Sequence, residues 1–320
     1  GMPASETGLA GGVWTISPGS ELPAITEAAT IDATTQTGFS TTPVVEVEGS
    51  SAGSGSDGFR IFSPNVELRG FAVNRFLGDG IEVDTTSTGG AVIAGNHIGL
   101  DATGLIDRGN SGRGIDLQTG SGPTTVGGTN AADRNIISGN GGDGIIIWNS
   151  NANTVINNFI GTDVTGNASA VAIGNGADGI AMGSGSGGNT IGQAGYGNVL
   201  SGNGNDGIEN DATGAGNTLH ANMIGLGTDV STIVTNGRYG VVIYNGANNT
   251  QIGGGGAGEG NVISGNTSHG VMLDGASNPA TTANVFEGNR IGTDASGFLG
   301  RGNGGAGLYL YNGGNNTIIG

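Results

Sequence analysis

The most constraining feature of this sequence is a glycine-led segment that returns every 28 to 37 residues, in steps that alternate between long and short. In the first copies the glycine is followed by an apolar, a variable and an apolar residue, as in Gly80-Ile81-Glu82-Val83. The copies begin at Gly80, Gly114, Gly144, Gly179, Gly207, Gly240, Gly270 and Gly307. Such short strands cannot bury an apolar face alone. The repeat therefore predicts a solenoid whose units bury their apolar residues against their neighbours.

Asparagine recurs at two further positions of the unit. One series lies four residues before seven of the glycines: Asn110, Asn140, Asn175, Asn203, Asn236, Asn266 and Asn303. The other precedes a second short strand: Asn153, Asn189, Asn217, Asn249, Asn284 and Asn316. Asn tolerates left-handed backbone angles, and its amide can bond to the amide one coil above and below. Both series are therefore predicted to be internal, structural ladders.

A third short strand completes each unit, such as Asn135-Ile136-Ile137 in a short unit and Asn158-Phe159-Ile160-Gly161 in a long one. Three strands per unit, stacked in register, predict an all-β chain with three short parallel sheets, which is a parallel β-helix of about ten coils. A helical fold is excluded because 71 of 320 residues are Gly, each costing a helix interior about 1 kcal/mol. The Asp-Gly pairs, such as Asp178-Gly179, are predicted to be turns in which Gly supplies a positive φ.

These repeats carry a family resemblance. The Asn-Thr-Ile, Asn-Val-Ile-Ser-Gly-Asn and Gly-Ile-x-Ile segments resemble the coils of right-handed parallel β-helix proteins of the pectate-lyase-like superfamily. Residues 22–36 and the Ile-Gly-Thr-Asp-x-Thr-Gly motif at 160–166 resemble, more narrowly, large bacterial secreted or cell-surface proteins of this kind. The resemblance implies right-handed coils and an extracellular or cell-surface location. It implies no single activity, because the superfamily includes lyases, hydrolases, epimerases and adhesins.

Composition divides the chain near Pro64. Five of the seven Pro lie at or before this residue, whereas every Asn lies after it. We therefore predict one continuous domain in which residues 1–64 form opening coils and residues 65–320 form regular repeats, with long and short coils alternating. The last residues end part-way through a coil, so further coils of the same parent chain are an expected partner.

The charge of the chain limits its partners. The formal net charge is −17 and no Lys is present, which disfavours nucleic acid and anionic membrane surfaces. No apolar run approaches the roughly 20 residues that span a bilayer, so no membrane insertion is expected. The absence of Cys excludes disulfides, thiolate zinc sites and thiol catalysis. A neutral glycan or a cell-surface protein is the expected partner, and no cofactor is required.

The long units contain an extra loop of roughly a dozen residues after Ile-Gly, each with one Asp: Asp101, Asp163, Asp229 and Asp294. Loops two coils apart lie about 9.6 Å from each other at the usual strand spacing. That separation is too wide for two of these Asp to share a calcium ion, whose oxygen ligands lie at about 2.3–2.6 Å. Two interpretations stay open, calcium binding by a single loop and an Asp that merely closes its own turn.

The glycine-led sheet predicts an exposed aromatic surface. Alternation along the strand sends Ile145 and Ile147 inward, so the residues between and after them face solvent. The outward set is Ile146, Trp148, Val242, Tyr244, Met272, Tyr309 and Tyr311. Toward the N-terminus the same columns hold Glu82, Asp84, Asp116 and Gln118, so the sheet is expected to change from acidic to aromatic. An outward aromatic strip commonly marks an interaction site, here for a glycan or a protein partner.

Three functions compete on this evidence. We favour a non-catalytic secreted or cell-surface module, a rigid stalk or adhesin that binds glycan through the aromatic sheet. The alternative is a polysaccharide lyase or glycoside hydrolase, which requires clustered carboxylates and Arg in adjacent coils; a spacer whose aromatic sheet is covered by loops is the third. The only local mix of charges comprises Arg60, Glu67, Arg69, Arg75, Asp79, Glu82 and Asp84. His97, His220 and His269 have spacings that support neither a metal cluster nor a catalytic relay.

Overall fold

The computed structural model describes residues 9–10, 12–84, 89–167, 173–214, 216–230, 232–275, 281–312 and 317–320. These residues form three sheets of eleven, nine and ten strands, called sheets 1, 2 and 3 here. Every described pairing between named strands is parallel except the first pair of sheet 1. In the described ranges, the only helical element is one 3-10 turn, Ala131–Asp133, and no helix is long and apolar enough to cross a bilayer.

Each sheet takes one strand from each successive coil. Sheet 1 contains Leu9–Ala10, Val13–Ile16, Val45–Glu48, Phe71–Asn74, His97–Ile98, Ile136–Ile137, Phe159–Ile160, Val199–Leu200, Met223–Ile224, Val262–Ile263 and Arg290–Ile291. Sheet 2 contains Phe59–Ile61, Ile81–Val83, Ile115–Leu117, Ile145–Trp148, Ile180–Gly183, Ile208–Asn210, Val241–Ile243, Val271–Asp274 and Leu308–Tyr311. Sheet 3 contains Thr30–Asp32, Glu67–Arg69, Val92–Ala94, Thr125–Gly127, Thr154–Ile156, Thr190–Ile191, Thr218–Leu219, Gln251–Gly253, Val285–Glu287 and Ile318–Ile319.

The architecture is the predicted right-handed parallel β-helix. The eight glycine-led segments align in one column of sheet 2, where Ile115 pairs with Ile81 on one side and Ile145 on the other. One apolar core runs through all the coils, filled by inward residues such as Ile145 and Ile147. Strands before residue 64 join the same sheets, since Val45–Glu48 pairs with Phe71–Asn74.

The first asparagine series is the predicted ladder. From Asn110 to Asn303, each side-chain Nδ2 donates to the Oδ1 of the next Asn at 2.9–3.1 Å. A further ladder, which the sequence interpretation did not assign, has the same geometry at 2.9–3.1 Å. Each of its members immediately precedes one of seven strands of sheet 1: Asn96, Asn135, Asn158, Asn198, Asn222, Asn261 and Asn289. Buried turn amides are thereby satisfied at two corners of the coil.

The ladder predicted for the second asparagine series is partly wrong. Asn153 donates to Asn189 at 2.9 Å and Asn189 to Asn217 at 3.2 Å, as predicted. Asn249, however, is exposed with φ of 53°. Thr250 takes the ladder position instead, and its N–H donates to Oδ1 of Asn284 at 2.8 Å. The reason is register, because Gln251 is the residue that pairs with Thr218. Asn316 lies outside the described residues.

The glycines that precede the strands of sheet 2 are required for a different reason than the sequence predicted. Gly80, Gly144, Gly179 and Gly207 do not have the positive φ expected of them. They lack space instead: a Cβ on Gly179 would lie 2.6 Å from the Gly207 carbonyl oxygen and 2.9 Å from Asn203 Nδ2. The coils therefore approach each other backbone to backbone at this corner.

The long loops fold over sheet 1. Three of them are closed by antiparallel bridges, Leu100 to Asp107, Leu226 to Ile233 and Thr293 to Gly300. Loops two coils apart still touch, because the N–H of Val164 donates to Gly104 O at 3.1 Å. A small second core beneath them includes Phe159 and Val199. The face covered by loops is therefore sheet 1, and sheet 2 stays open.

Substituting Gly179 by Ala is expected to destabilise the protein by about 1–3 kcal/mol or more, because the new Cβ overlaps backbone atoms that cannot rotate away. The midpoint of urea unfolding followed by circular dichroism measures this loss. Gly302→Ala is the matched control, because a Cβ on Gly302 meets no atom within 4 Å. Equal midpoints for the two variants would contradict the packing argument.

Candidate functional site

Sheet 2 presents two outward columns of side chains. Register places Arg60, Glu82, Asp116, Ile146, Ala181, Glu209, Val242, Met272 and Tyr309 in the first column. Two residues further along each strand, the second column holds Asp84, Gln118, Trp148, Gly183, Asp211, Tyr244, Asp274 and Tyr311. The N-terminal coils are acidic, as predicted, and both aromatic and acidic residues follow.

Trp148 forms one wall of a cavity of about 270 Å³ on this face. Its indole is 48% exposed and lies over Gly183, where a Cβ would be 2.6 Å from the ring. The polar wall is built around Asp116, whose Oδ2 accepts from Arg113 Nη1 at 3.0 Å and Gln118 Nε2 at 3.1 Å. A flat ring facing a fixed set of donors and acceptors suits a ligand with one apolar face and polar edges.

A second aromatic patch lies at the C-terminal end of sheet 2. The rings of His269 and Tyr309 stack with centroids 4.5 Å apart, and those of Tyr309 and Tyr311 with centroids 6.2 Å apart. Tyr239 extends the stack to a fourth ring, 5.6 Å from His269. Tyr309 and Tyr311 are 39% and 45% exposed. The strand that contains Trp148 and the strand that contains Tyr311 are the first and last of six consecutive strands of sheet 2. Five strand spacings of about 4.8 Å therefore place the two patches about 24 Å apart.

The predicted aromatic strip is not continuous. Val242, expected to face solvent, is only 2% exposed. It lies in register between Glu209 and Met272, and the hydrogen bond from the Tyr244 hydroxyl to Glu209 closes a further side. Tyr244 and Met272 are half-buried, and the acidic residues Glu209 and Asp211 separate Trp148 from the C-terminal patch. Ile146 is half-buried within the Trp148 cavity.

A column of aspartates stands at the corner before sheet 2, where the sequence predicted only turns. Oδ1 of each accepts the backbone N–H of the next coil at 2.5–3.0 Å. The members are Asp57, Asp79, Asp143, Asp178 and Asp206. The bond resembles those of the Asn ladders, although here the acceptor carries an ionisable group. A neutral amide would make the same bond without the cost of burying a charge.

Asp178, Asp206 and Glu209 bring their carboxylates together across two coils. One oxygen from each lies within 4.8 Å of the others, the only such trio of His, Asp or Glu residues in the described ranges. Asp206 Oδ2 is buried and accepts no hydrogen bond, although Arg238 Nη2 approaches to 3.1 Å as an ion pair. A group of this kind can hold a proton between carboxylates or bind a cation.

Burial sets the protonation of this face. It raises the pKa of Asp178 to about 7, aided by the charges of Glu209, Asp206 and Asp143 and opposed by the N–H of Asp206. Burial likewise raises the pKa of Asp57 and of Asp116 to about 6. The pKa values of Asp206 and Glu209 are also raised by burial. These folded-state carboxyls hold protons more tightly than the unfolded chain does.

The free energy of unfolding is therefore expected to fall as the pH rises from the ordinary Asp value of 3.8 to about 7, because a raised folded-state pKa stabilises only below it. Asp178→Asn keeps the acceptor for the Asp206 N–H and removes the charge. At pH 8 it should be more stable than the wild type by up to a few kcal/mol, at 1.36 kcal/mol per unit. Urea unfolding at pH 4, 6 and 8 measures the change.

The control for this prediction is Asp107→Asn. Oδ1 of Asp107 also accepts a backbone N–H, from Gly109 at 2.9 Å, but its side chain is exposed. This variant should follow the wild-type pH profile. The burial argument fails if Asp178→Asn and Asp107→Asn change stability at pH 8 to the same extent.

The long-loop aspartates close their own turns. Asp101 accepts from Thr103 Oγ1 at 2.8 Å and from the N–H of Leu105 and Ile106. Asp163, Asp229 and Asp294 accept from the donors of their own loops in the same way. A calcium ion would have to compete with these donors for the carboxylate oxygens. Calcium binding at these four residues stays a prediction.

The charged set singled out in the sequence does not form one site. Arg60 bonds to Glu82 on sheet 2 at 3.0 Å, whereas Arg69 on sheet 3 bonds to Asp133 at 2.6 Å. Arg75 lies beside sheet 1, with Nη1 3.7 Å from Glu48. The histidines are separate too: His97 is buried in a strand of sheet 1, and burial lowers its pKa to about 4.

Two cavities on sheet 1 were not found from the sequence. The larger, about 660 Å³, lies between long loops and the glycine-rich corner that includes Gly195, with Phe159 and Met223 in its lining. Arg134 lies over the Phe159 ring at 4.1 Å from its centroid. The smaller, about 420 Å³, contains Glu46 and other charged residues near the N-terminal end. Only the folding of the long loops brings these residues together, so no local motif signals them.

Comparison with solved structures finds similar folds. The A-module of mannuronan C-5 epimerase AlgE6 from Azotobacter vinelandii is 15% identical, with 96% of this chain and 88% of that module covered and a TM-score of 0.47. The AlgE4 A-module from the same organism is 16% identical, covering 97% and 91%, with a TM-score of 0.42. The Dettilon tailspike protein is 16% identical, covering 92% and 61%, with a TM-score of 0.37. No family model and no curated protein matches the sequence.

Proposed function

We propose that this protein is a non-catalytic module that binds an extended glycan along the outer face of sheet 2. On this proposal it is secreted or displayed at a bacterial cell surface, where the solenoid acts as a stalk or adhesin. Its partners are a glycan or a glycosylated cell-surface protein, and further coils of the parent chain. The location rests on the resemblance of the repeats to bacterial surface β-helix proteins, and the binding face on the geometry below.

The observation that carries the proposal is the Trp148 cavity. The indole is held against Gly183, so it is already in place before a ligand arrives and little side-chain entropy is lost on binding. Sugar rings have an apolar face that stacks on aromatic rings and hydroxyl groups that bond to polar side chains. Asp116 and Gln118 supply acceptors and donors at the edge of the cavity.

The second aromatic patch gives the proposed site its length. Tyr309 and Tyr311 are exposed on the same face as Trp148, and about 24 Å of sheet lies between them. Acidic residues occupy the interval, which favours a neutral chain over a strongly anionic one. A glycan that spans both patches gains from a second contact made at high effective concentration.

Trp148→Ala is expected to weaken binding at least 10-fold, the equivalent of about 1.4 kcal/mol. A glycan array identifies the ligand, and isothermal titration calorimetry with the best oligosaccharide measures affinity. Phe298→Ala is the matched control, since Phe298 is 91% exposed on a loop away from sheet 2. Tyr309→Ala should weaken the binding of only those oligosaccharides that are long enough to reach both patches. Unchanged affinity in Trp148→Ala would refute this site.

A polysaccharide-acting enzyme is the second candidate. The Asp178, Asp206 and Glu209 trio supports it, because paired carboxyls with separated protonation states serve as general acid and base in glycoside hydrolysis. The Tyr244 hydroxyl, bonded to Glu209, would help to hold that carboxylate in place. Against it, Asp178 and Asp206 are both buried, which limits their contact with a substrate.

Incubation with neutral and acidic polysaccharides distinguishes the two functions. The binding proposal expects neither new reducing ends nor unsaturated products, by reducing-sugar assay and absorbance. The enzyme proposal expects product from the wild type and at least a 100-fold loss of rate in Glu209→Gln. Trp148→Ala tests binding and Glu209→Gln tests chemistry, so one result does not decide the other.

A further inference from the structure

The walls of the Trp148 cavity differ in chemistry, and the difference follows the register of two strands. Asp116 pairs with Ile146, and Gln118 and Trp148 lie two positions further along the same two strands. All four residues line the cavity together with Arg113. One strand therefore supplies a polar wall, and the next strand supplies an apolar wall of one aliphatic and one aromatic side chain.

The orientation of the Gln118 amide is fixed by its neighbours. Its Nε2 donates to Asp116 Oδ2 at 3.1 Å and to Glu82 Oε1 at 3.4 Å. Both neighbours are carboxylates, which only accept hydrogen bonds when ionised, so the reverse orientation of the amide would place acceptors against acceptors. Oε1 of Gln118 therefore points away from the carboxylates, and it accepts from no residue in the described ranges.

Arg113 is held beside this acceptor by the same carboxylate. Its Nη1 donates to Asp116 Oδ2 at 3.0 Å, the oxygen that also accepts from Gln118. Nη2 of Arg113 donates to no residue that the structure describes, and the side chain is 41% exposed. Asp116 is only 2% exposed, so its main effect is to position the other two side chains. The polar wall thus offers one acceptor and one donor in fixed positions.

The apolar wall continues into the next strand. Ile146 is half-buried, and Ala181, which pairs with it, is 8% exposed. Gly183 pairs with Trp148 in the same way. A sugar hydroxyl placed against this surface would lose water without gaining a hydrogen bond, which is unfavourable. A methyl group placed there would instead bury apolar area, which is favourable.

We infer that the Trp148 cavity binds a sugar unit that carries an acetamido group, an N-acetylhexosamine. The acetamido group has one N–H, one carbonyl oxygen and one methyl group, which match Gln118 Oε1, Arg113 Nη2 and Ile146 in turn. The sugar ring stacks on Trp148. A volume of about 270 Å³ is smaller than the roughly 300–1,000 Å³ of pockets for drug-sized ligands and suits one sugar unit. This inference rests on the proposed function, because it names the sugar bound at the same site.

Three tetrasaccharides test the inference, because they share one backbone and differ only in the group at the second carbon of each sugar. Chitotetraose carries acetamido groups, cellotetraose carries hydroxyl groups, and the glucosamine tetramer carries ammonium groups at pH 6. Titration calorimetry is expected to show chitotetraose binding about 10-fold or more tightly than either of the others, a discrimination within reach of one lost apolar contact or hydrogen bond.

The possible results separate this inference from the proposed function. Equal affinities for the three tetrasaccharides, or tightest binding of the glucosamine tetramer, would overturn the inference and leave glycan binding on sheet 2 standing. The same holds if a glycan array finds only ligands without acetamido groups. If no glycan binds at all, both the inference and the proposed function fail.

Two variants assign the selectivity to the two walls. Ile146→Thr keeps a β-branched side chain but removes the apolar contact, so it should weaken chitotetraose binding about 5-fold or more and leave cellotetraose binding unchanged. Gln118→Met removes the acceptor at similar length and should weaken chitotetraose binding about 10-fold. Gln251→Met is the matched control, because Gln251 is a half-buried strand residue of sheet 3. Thermal unfolding checks that each variant is folded, and unchanged chitotetraose affinity in either folded cavity variant would overturn the inference.

Discussion

Hydrogen bonding between equivalent residues of successive coils is the constraint on which this structure depends. A strand of two to four residues finds no partner within its own coil, so its backbone groups are satisfied only by the coils above and below. The Asn ladders extend the same rule to side chains at the corners. The glycine column goes further, because it lets two coils approach until no Cβ fits between them. Inward and corner positions are therefore committed to stacking.

Only the outward side chains are left to bind a partner, and sheets 1 and 2 differ in how these side chains are covered. Sheet 1 is partly covered by the long loops, which form the walls of two open cavities over it. Sheet 2 stays open and carries aromatic rings at two places. The Asp column beside it departs from the pattern of the Asn ladders, because it keeps ionisable groups where neutral amides would stack equally well. Residues that lower stability in this way are expected near functional sites.

Much of the fold was predictable because its causes are local or periodic. Alternation along the strand correctly predicts that Trp148, Tyr309 and Tyr311 point outward. Val242 also lies in the outward column, but it is not exposed to solvent, because alternation says nothing of lateral neighbours, and Tyr244 and Glu209 close around that residue. The asparagine series also misplaces one ladder position, because Gln251 pairs with Thr218 and Thr250 therefore takes the position predicted for Asn249.

The sequence by itself determined the repeat, the three parallel sheets, the main Asn ladder and the acidic character of the chain, since each follows from residue types at fixed intervals. Only the tertiary structure decided which outward residues meet. Arg108 reaches Glu46 because a loop folds back over sheet 1, and Asp178 reaches Glu209 because consecutive coils stack in one register. Such contacts depend on loop path and stacking offset, and neither is encoded in the local spacing of residues.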